Sequence, residues 1–159
     1  MDGETSLVHA TCIAVGDRAA LIVGPSGSGK SDLALRAMSS PVYDGDRRLI
    51  AELVSDDQVL VEAREGRLIA RAPPTIAGRM EVRGIGIVPV EHLAACALCL
   101  AVEIDTHAQI ERLPQENTGL TLLGVRLPSI RLQPFEASAH IKLILALARA
   151  DWHPAGQAE

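Results

Sequence analysis

Apolar positions along this chain come in short runs separated by turn residues, the signature of strands rather than of a helical bundle. Residues 7–15 alternate weakly, and a second apolar run, Ala19-Ala20-Leu21-Ile22-Val23, follows across Gly16-Asp17. The two read as a hairpin that carries His9. Residues 32–38 favour helix, and Ser39-Ser40-Pro41 stops it, because proline lacks the N–H that a continuing helix requires. Residues 42–48 read as a polar loop and 49–54 as a strand. Residues 58–63 and 67–72 form a hairpin around Glu65-Gly66, broken off by Pro73-Pro74. An extended stretch covers 80–88, a short helix is expected at 91–95, and the apolar run 98–104 reads as a buried strand ending at Asp105. Residues 107–119 are polar and predict a surface loop. Residues 125–132 form a strand whose Pro128 predicts an edge position. The strongest helix spans 137–152, with Ile141, Ile144, Leu145 and Ala148 on one face, and His153-Pro154 ends it before a frayed tail, 153–159. The pattern is α/β: one domain over 1–159 with its core at 7–152, and no internal repeat, low-complexity tract or linker.

Composition narrows this picture. At 159 residues the chain can bury a sizeable core, and 48% hydrophobic residues exclude a disordered segment. Aromatics are only 2%, so the core must be aliphatic. Few aromatics and a net charge of -5 argue against a nucleic-acid surface. Met1-Asp2-Gly3-Glu4 lacks the basic start of a signal peptide, and no apolar stretch reaches membrane-spanning length. Cys12, Cys96 and Cys99 are an odd count, and Cys96 and Cys99 lie within an apolar run without a second ligand pair. Buried thiols are expected, rather than zinc or disulfide chemistry. These features predict a cytoplasmic protein with no membrane and no nucleic-acid partner.

The chemistry concentrates in Gly24-Pro25-Ser26-Gly27-Ser28-Gly29-Lys30-Ser31, a G-x-x-x-x-G-K-S phosphate-binding loop between the run 19–23 and the helix 32–38. Gly24, Gly27 and Gly29 allow the backbone to turn its amides inward, and with the helix N-terminus these make an anion site. Lys30 is placed for the β- and γ-phosphates and the Ser31 hydroxyl for Mg²⁺, so a nucleotide such as ATP is the expected ligand. Phosphoryl transfer also needs a carboxylate at the metal and, where a hydroxyl is the acceptor, a base. Three candidates compete: Asp56-Asp57 after one strand, Asp105 after another, and Glu81 beside a glycine-rich segment. Position alone does not rank them, and each is equally readable as a strand-end turn carboxylate.

Several segments resemble one family in order and approximate spacing. They are Val8-His9-Ala10-Thr11, the loop with Lys30-Ser31-Asp32, Val54-Ser55-Asp56-Asp57-Gln58-Val59, Ala72-Pro73-Pro74 and Glu81-Val82-Arg83-Gly84-Ile85-Gly86-Ile87. This is the pattern of HPr kinase/phosphorylase, and the resemblance covers about residues 7–145. It implies a P-loop kinase domain similar in fold to phosphoenolpyruvate carboxykinase, a mixed β-sheet with flanking helices. It implies ATP and Mg²⁺ as cofactors and the phosphocarrier HPr of a phosphotransferase system as protein substrate. It implies a homo-oligomer, since members assemble as hexamers. Gly24, Pro25, Ser26, Gly27, Ser28, Gly29, Lys30 and Ser31 would bind the nucleotide, and Ser31 with Glu81 the metal. Asp57 would be the base toward the seryl hydroxyl and the acid in reverse, with His9 close to it. Arg112 would offset charge on the transferring group, and Arg83 is either a second such cation or a structural ion-pair partner. Without the resemblance, His9 reads as a hydrogen-bonded core histidine and Arg112 as a solvated loop cation.

The departures are specific. Only a short segment precedes His9, which resembles the short form built from the C-terminal catalytic domain. Asp32 stands where the family has glutamate, and Asp44-Gly45-Asp46-Arg47-Arg48 is an insertion. The family's Gly-Arg-Asn segment before the last helix is replaced by Gln133-Pro134-Phe135-Glu136-Ala137-Ser138. That segment is associated with dephosphorylation, so the resemblance carries the kinase direction and leaves dephosphorylation of HPr as an open second activity. A small-molecule kinase and a nucleotide-sensing module without turnover are the competing readings. Against the former, residues 111–119 lack an arginine-rich lid.

Overall fold

The computed structural model describes residues 3–106, 110–113 and 118–150. The chain begins with β1 (Thr5–His9), β2 (Thr11–Val15) and β3 (Arg18–Val23), then α1 (Lys30–Ser39). The segment expected as one strand over 7–15 is therefore two strands, divided at Ala10. The physical reason is a change of partner. β1 pairs antiparallel with β7 (Gln58–Arg64), whereas β2 pairs with β3 and with β6 (Ala51–Ser55). His9 thus lies on β1 opposite Gln58, and not on the β2–β3 hairpin.

The expected polar loop at 42–48 is a small hairpin, β4 (Val42–Asp44) and β5 (Arg47–Leu49). Val42 and Leu49 bury themselves, and Gly45, with φ 61°, takes the first position of the two-residue turn, where positive φ is needed. β7 and β8 (Arg67–Arg71) form the hairpin expected around Glu65-Gly66, both in the left-handed region as a type I′ turn requires. Among the described residues, β9 (Arg79–Val82) and β10 (Gly86–Pro89) pair only with each other. No helix forms at 91–95: Leu93 N–H donates to Leu53 O at 2.9 Å, holding this segment extended beside β6.

β11 (Cys96–Ile104) is the spine, running parallel to β3 and antiparallel to β8. β12 (Gly119–Leu122) lies where the polar loop was expected to end, and β13 (Val125–Leu132) returns antiparallel to it. Within the rest of that expected loop, 107–109 and 114–117 lie outside the described residues. β13 changes partner along its length, each half paired with one strand. Residues 125–128 pair with β12 and 129–132 with β11, and Pro128 sits at the handover. α2 (Ala139–Ala148) closes the described chain and buries Leu143, Ile144 and Leu147, while Ile141 faces outward. Trp152 and the expected tail at 153–159 lie outside the described residues.

The main sheet has the order β1-β7-β8-β11-β3-β2-β6. β6 and β7 stand near opposite ends of that order, yet only Asp56-Asp57 joins them. β1 and β2 are likewise far apart in the sheet and joined by Ala10 alone. The sheet must therefore curl until its ends meet, and the seam brings His9, Thr11, Asp56 and Asp57 together. Ala10 N–H donates to Asp57 O across the seam at 3.1 Å. Small residues make the curl possible: Ala10, Cys12, Ala14, Ala19, Ala70 and Ala101 face its interior. The alternate residues of the same strands, Ile13, Ala20 and Ile22, face α1 and α2. Strands buried on both faces read as the continuous apolar runs seen in the sequence. Burial pushes the Cys12 thiol well up and that of Cys96 to about 11, in keeping with thiols that act as small core residues.

Candidate active site

The phosphate-binding loop leaves the C-terminal end of β3, beside the end of β11, and runs into α1. Its glycines are needed for different reasons. A Cβ on Gly24 would meet Ser28 Oγ at 2.9 Å and Ile104 Cβ at 3.3 Å. Gly29, with φ 101°, is the left-handed residue from which α1 starts. Ser28 N–H donates to Pro25 O at 3.2 Å, which closes the loop. Lys30 Nζ donates to Gly24 O and Pro25 O, both at 2.8 Å, so the loop carbonyls hold the ammonium. Burial lowers the Lys30 pKa, and the nearby charges of Asp57 and Asp56 oppose that effect. Ser28 Oγ is buried without a partner among the described residues, as fits a hydroxyl awaiting an oxygen-rich ligand.

The two aspartates at the β6–β7 seam have separate surroundings. Asp56 is buried, and its Oδ1 accepts from Ser31 Oγ at 2.6 Å and from Thr11 Oγ1 at 3.0 Å. Asp57 follows with φ 68°, and Gln58 N–H donates back to Asp56 O at 2.8 Å. That is a γ-turn of the rare positive-φ kind, a strained geometry that aspartate tolerates better than most residues. It turns the Asp57 side chain out, 71% exposed, with His9 Nδ1 3.5 Å from its Oδ1. His9 is half exposed rather than a core histidine.

These groups line one cleft of about 490 Å³, within the ~300–1,000 Å³ range of small-ligand sites. Glu81, on β9, lines it too and is exposed. Arg83 also lines it, and its Nη2 lies 3.9 Å from where a Cβ on Gly27 would stand. Asp105 is not among the lining residues and pairs with Arg131 at 2.7 Å. Arg112 is exposed and does not line the cleft, and among the described residues the cations that line it are Lys30 and Arg83. The oxygen donors Ser31, Asp56 and Glu81 suit a hard divalent cation. Asp56, one of the competing carboxylates, is given no separate role by the family resemblance. An acidic residue directly after an apolar strand is the signal for it, since that position faces the metal in phosphate-loop proteins.

Three comparisons bear on this geometry. The family profile described as HPr Serine kinase C-terminal domain matches residues 3–155. The chain belongs to that family. It is 29% identical over 160 residues to HPr kinase/phosphorylase of Streptococcus thermophilus, covering 94% of this chain and 48% of that protein. It is 32% identical over 162 residues to HPr kinase/phosphorylase of Clostridium perfringens, covering 96% of this chain and 49% of that one. The chain spans about half the length of these curated relatives. The solved structure of the Hpr(Ser) kinase/phosphatase from Coxiella burnetii superposes with a TM-score of 0.68 at 23% identity. That match covers 91% of this chain and 94% of the other, so the fold of the HPr kinase C-terminal domain is shared.

Proposed function

We propose that this chain is an ATP-dependent protein-serine kinase whose acceptor is an HPr-type phosphocarrier. The observation that carries the reading is the division of the adjacent carboxylates: Asp56 is buried on Ser31, and Asp57 is exposed beside His9 at the mouth of the same cleft. A kinase needs both positions, one for the metal and one for the acceptor hydroxyl.

The loop amides and Lys30 would bind the nucleotide phosphates, and Ser31, Asp56 and Glu81 would hold Mg²⁺. When bound, the metal neutralises charge on the β- and γ-phosphates. Asp57 accepts the seryl proton as the oxygen–phosphorus bond forms and the bond from the γ-phosphorus to the bridging oxygen breaks, releasing ADP. His9 positions the Asp57 carboxylate from 3.5 Å. Arg83 is the side chain best placed to offset charge on the transferring group, and the catalytic role that the resemblance gives Arg112 rests on the motif alone. HPr is itself a folded protein, and an exposed base suits an acceptor presented on another surface. The reading includes a cytoplasmic homo-oligomer, and among the described residues no helix is long and apolar enough to cross a membrane.

The test is transfer from γ-labelled ATP to purified HPr, with free serine and small hydroxylated metabolites as alternative acceptors. Label on the reactive serine of HPr supports the reading. Label only on a small molecule replaces HPr as the acceptor, and ATP binding without any turnover makes the chain a nucleotide-sensing module.

A further inference from the structure

The chain has one phenylalanine, and it is not in the core. Phe135 is 63% exposed and lines the active-site cleft, in a protein whose aromatic content is 2%. Its ring rests on the phosphate loop: Cε1 and Cζ lie 3.3 and 3.5 Å from where a Cβ on Gly29 would stand. A Cβ at 29 would press the ring by only a few tenths of an ångström, and it is the φ of 101° that calls for glycine there.

The turn that presents the ring is anchored at several points. Arg36, on α1, donates to Pro134 O through Nη2 and to Glu136 O through Nη1, the latter at 3.4 Å. Phe135 N–H donates to Gln133 Oε1 at 2.7 Å, and Gln133 Nε2 donates to Thr106 O at 3.3 Å. Pro134 is buried beneath. A fixed backbone thus holds a largely exposed apolar ring at the cleft.

Strand order says which part of a nucleotide meets it. Asp56 and Asp57 follow β6, which lies beyond β2 on one side of β3. The turn with Phe135 follows β13, which pairs with β11 on the other side of β3. With the metal and acceptor groups on the β6 side, the γ-phosphate end of a bound nucleotide points there. The nucleoside end leaves the phosphate loop in the opposite direction, toward Phe135. We infer that Phe135 is the platform on which the nucleobase stacks, a specificity-determining residue of the kinase site that rests on the kinase reading above. Aromatic rings stack on any base, because every base presents a π-face. The site should therefore favour base-bearing triphosphates over inorganic polyphosphate and discriminate little among bases.

The experiment compares ATP and tripolyphosphate binding, each with Mg²⁺, by calorimetry on the wild-type chain, Phe135→Ala and Phe135→Tyr. Phe135→Ala should weaken ATP by about 5- to 150-fold, the range of stacking losses on alanine substitution. Tripolyphosphate affinity should stay at the wild-type value, and Phe135→Tyr should restore ATP affinity. The inference is overturned if Phe135→Ala binds ATP as wild type does, or if ATP and tripolyphosphate weaken together, since the ring then acts on the loop and not on the base. Wild-type protein that binds neither ligand overturns the kinase reading itself, a result distinct from either of those.

Discussion

On one side of the cleft, Asp56 is buried and accepts from Thr11 and Ser31, and Lys30 is held by two loop carbonyls. On the other, Asp57 is 71% exposed, Glu81 and Arg83 stand on a hairpin paired only with itself, and Ile85 and Ile87 beyond them are 77% and 70% exposed. The tied side sits where the curled sheet closes on itself, so its geometry is set by the whole fold. The open side hangs on local structure. Phosphate and metal positions require the same geometry in every turnover, and the seam supplies it. In the proposed kinase, a protein acceptor would approach from solvent, and the open side permits that. The chain changes from one regime to the other between residues 56 and 57, through a single strained turn.

Substitutions on the two sides should therefore differ in kind. The largest loss of rate is expected from Asp57→Asn on the open side, about 10²–10⁴-fold in transfer, the usual contribution of a positioned base. ATP affinity and thermal stability should be unaffected, as titration and melting would show. Lys30→Met on the tied side should lower transfer by about 10²–10³-fold, the scale for removing one preorganised donor. Because burial already lowers the Lys30 pKa, its charge carries a desolvation cost in the folded state, and the variant should melt no lower than wild type. Asp56→Ala should do what neither of these does and destabilise the fold. The buried Thr11 hydroxyl and the half-buried Ser31 hydroxyl lose their acceptor, at about 1–3 kcal/mol, or about 2–12 °C in Tm. The mildest change is Glu81→Gln, which should weaken Mg²⁺ by about 10–100-fold, the scale of lost support at a metal site. It should leave the melt untouched, and Asp105→Asn, paired with Arg131 away from the cleft, should leave Mg²⁺ affinity at the wild-type value.

What the sequence shows and hides follows the same division. The phosphate loop, β3, α1, the β7–β8 hairpin and β11 are local patterns, and each is legible from its own residues. The seam is not. Nothing local to 7–15 says that the chain changes partners at Ala10, because that break exists only once the sheet has curled. For that reason His9 reads from sequence as part of the wrong hairpin, though its proximity to Asp57 follows from the family resemblance. Asp56 went without a role for a related cause: the contact with Ser31 joins two segments distant in sequence. The β4–β5 hairpin was hidden by its charge, since only Val42 and Leu49 mark its buried face. The extended course of 91–95 was hidden because its partner, Leu53, lies on another strand.

The central claim is that neighbouring carboxylates divide the work, with Asp57 moving the proton and Asp56 holding the phosphate end of the site. Single-turnover transfer from saturating ATP to HPr, with Asp57→Asn and Asp56→Asn measured side by side over a range of Mg²⁺ concentrations, tests it most directly. The account predicts that the Asp57→Asn rate stays low at every Mg²⁺ concentration, while the Asp56→Asn rate climbs back as Mg²⁺ is raised. An Asp57→Asn enzyme that recovers with Mg²⁺, together with an Asp56→Asn enzyme that does not, would reverse the two roles and contradict the account.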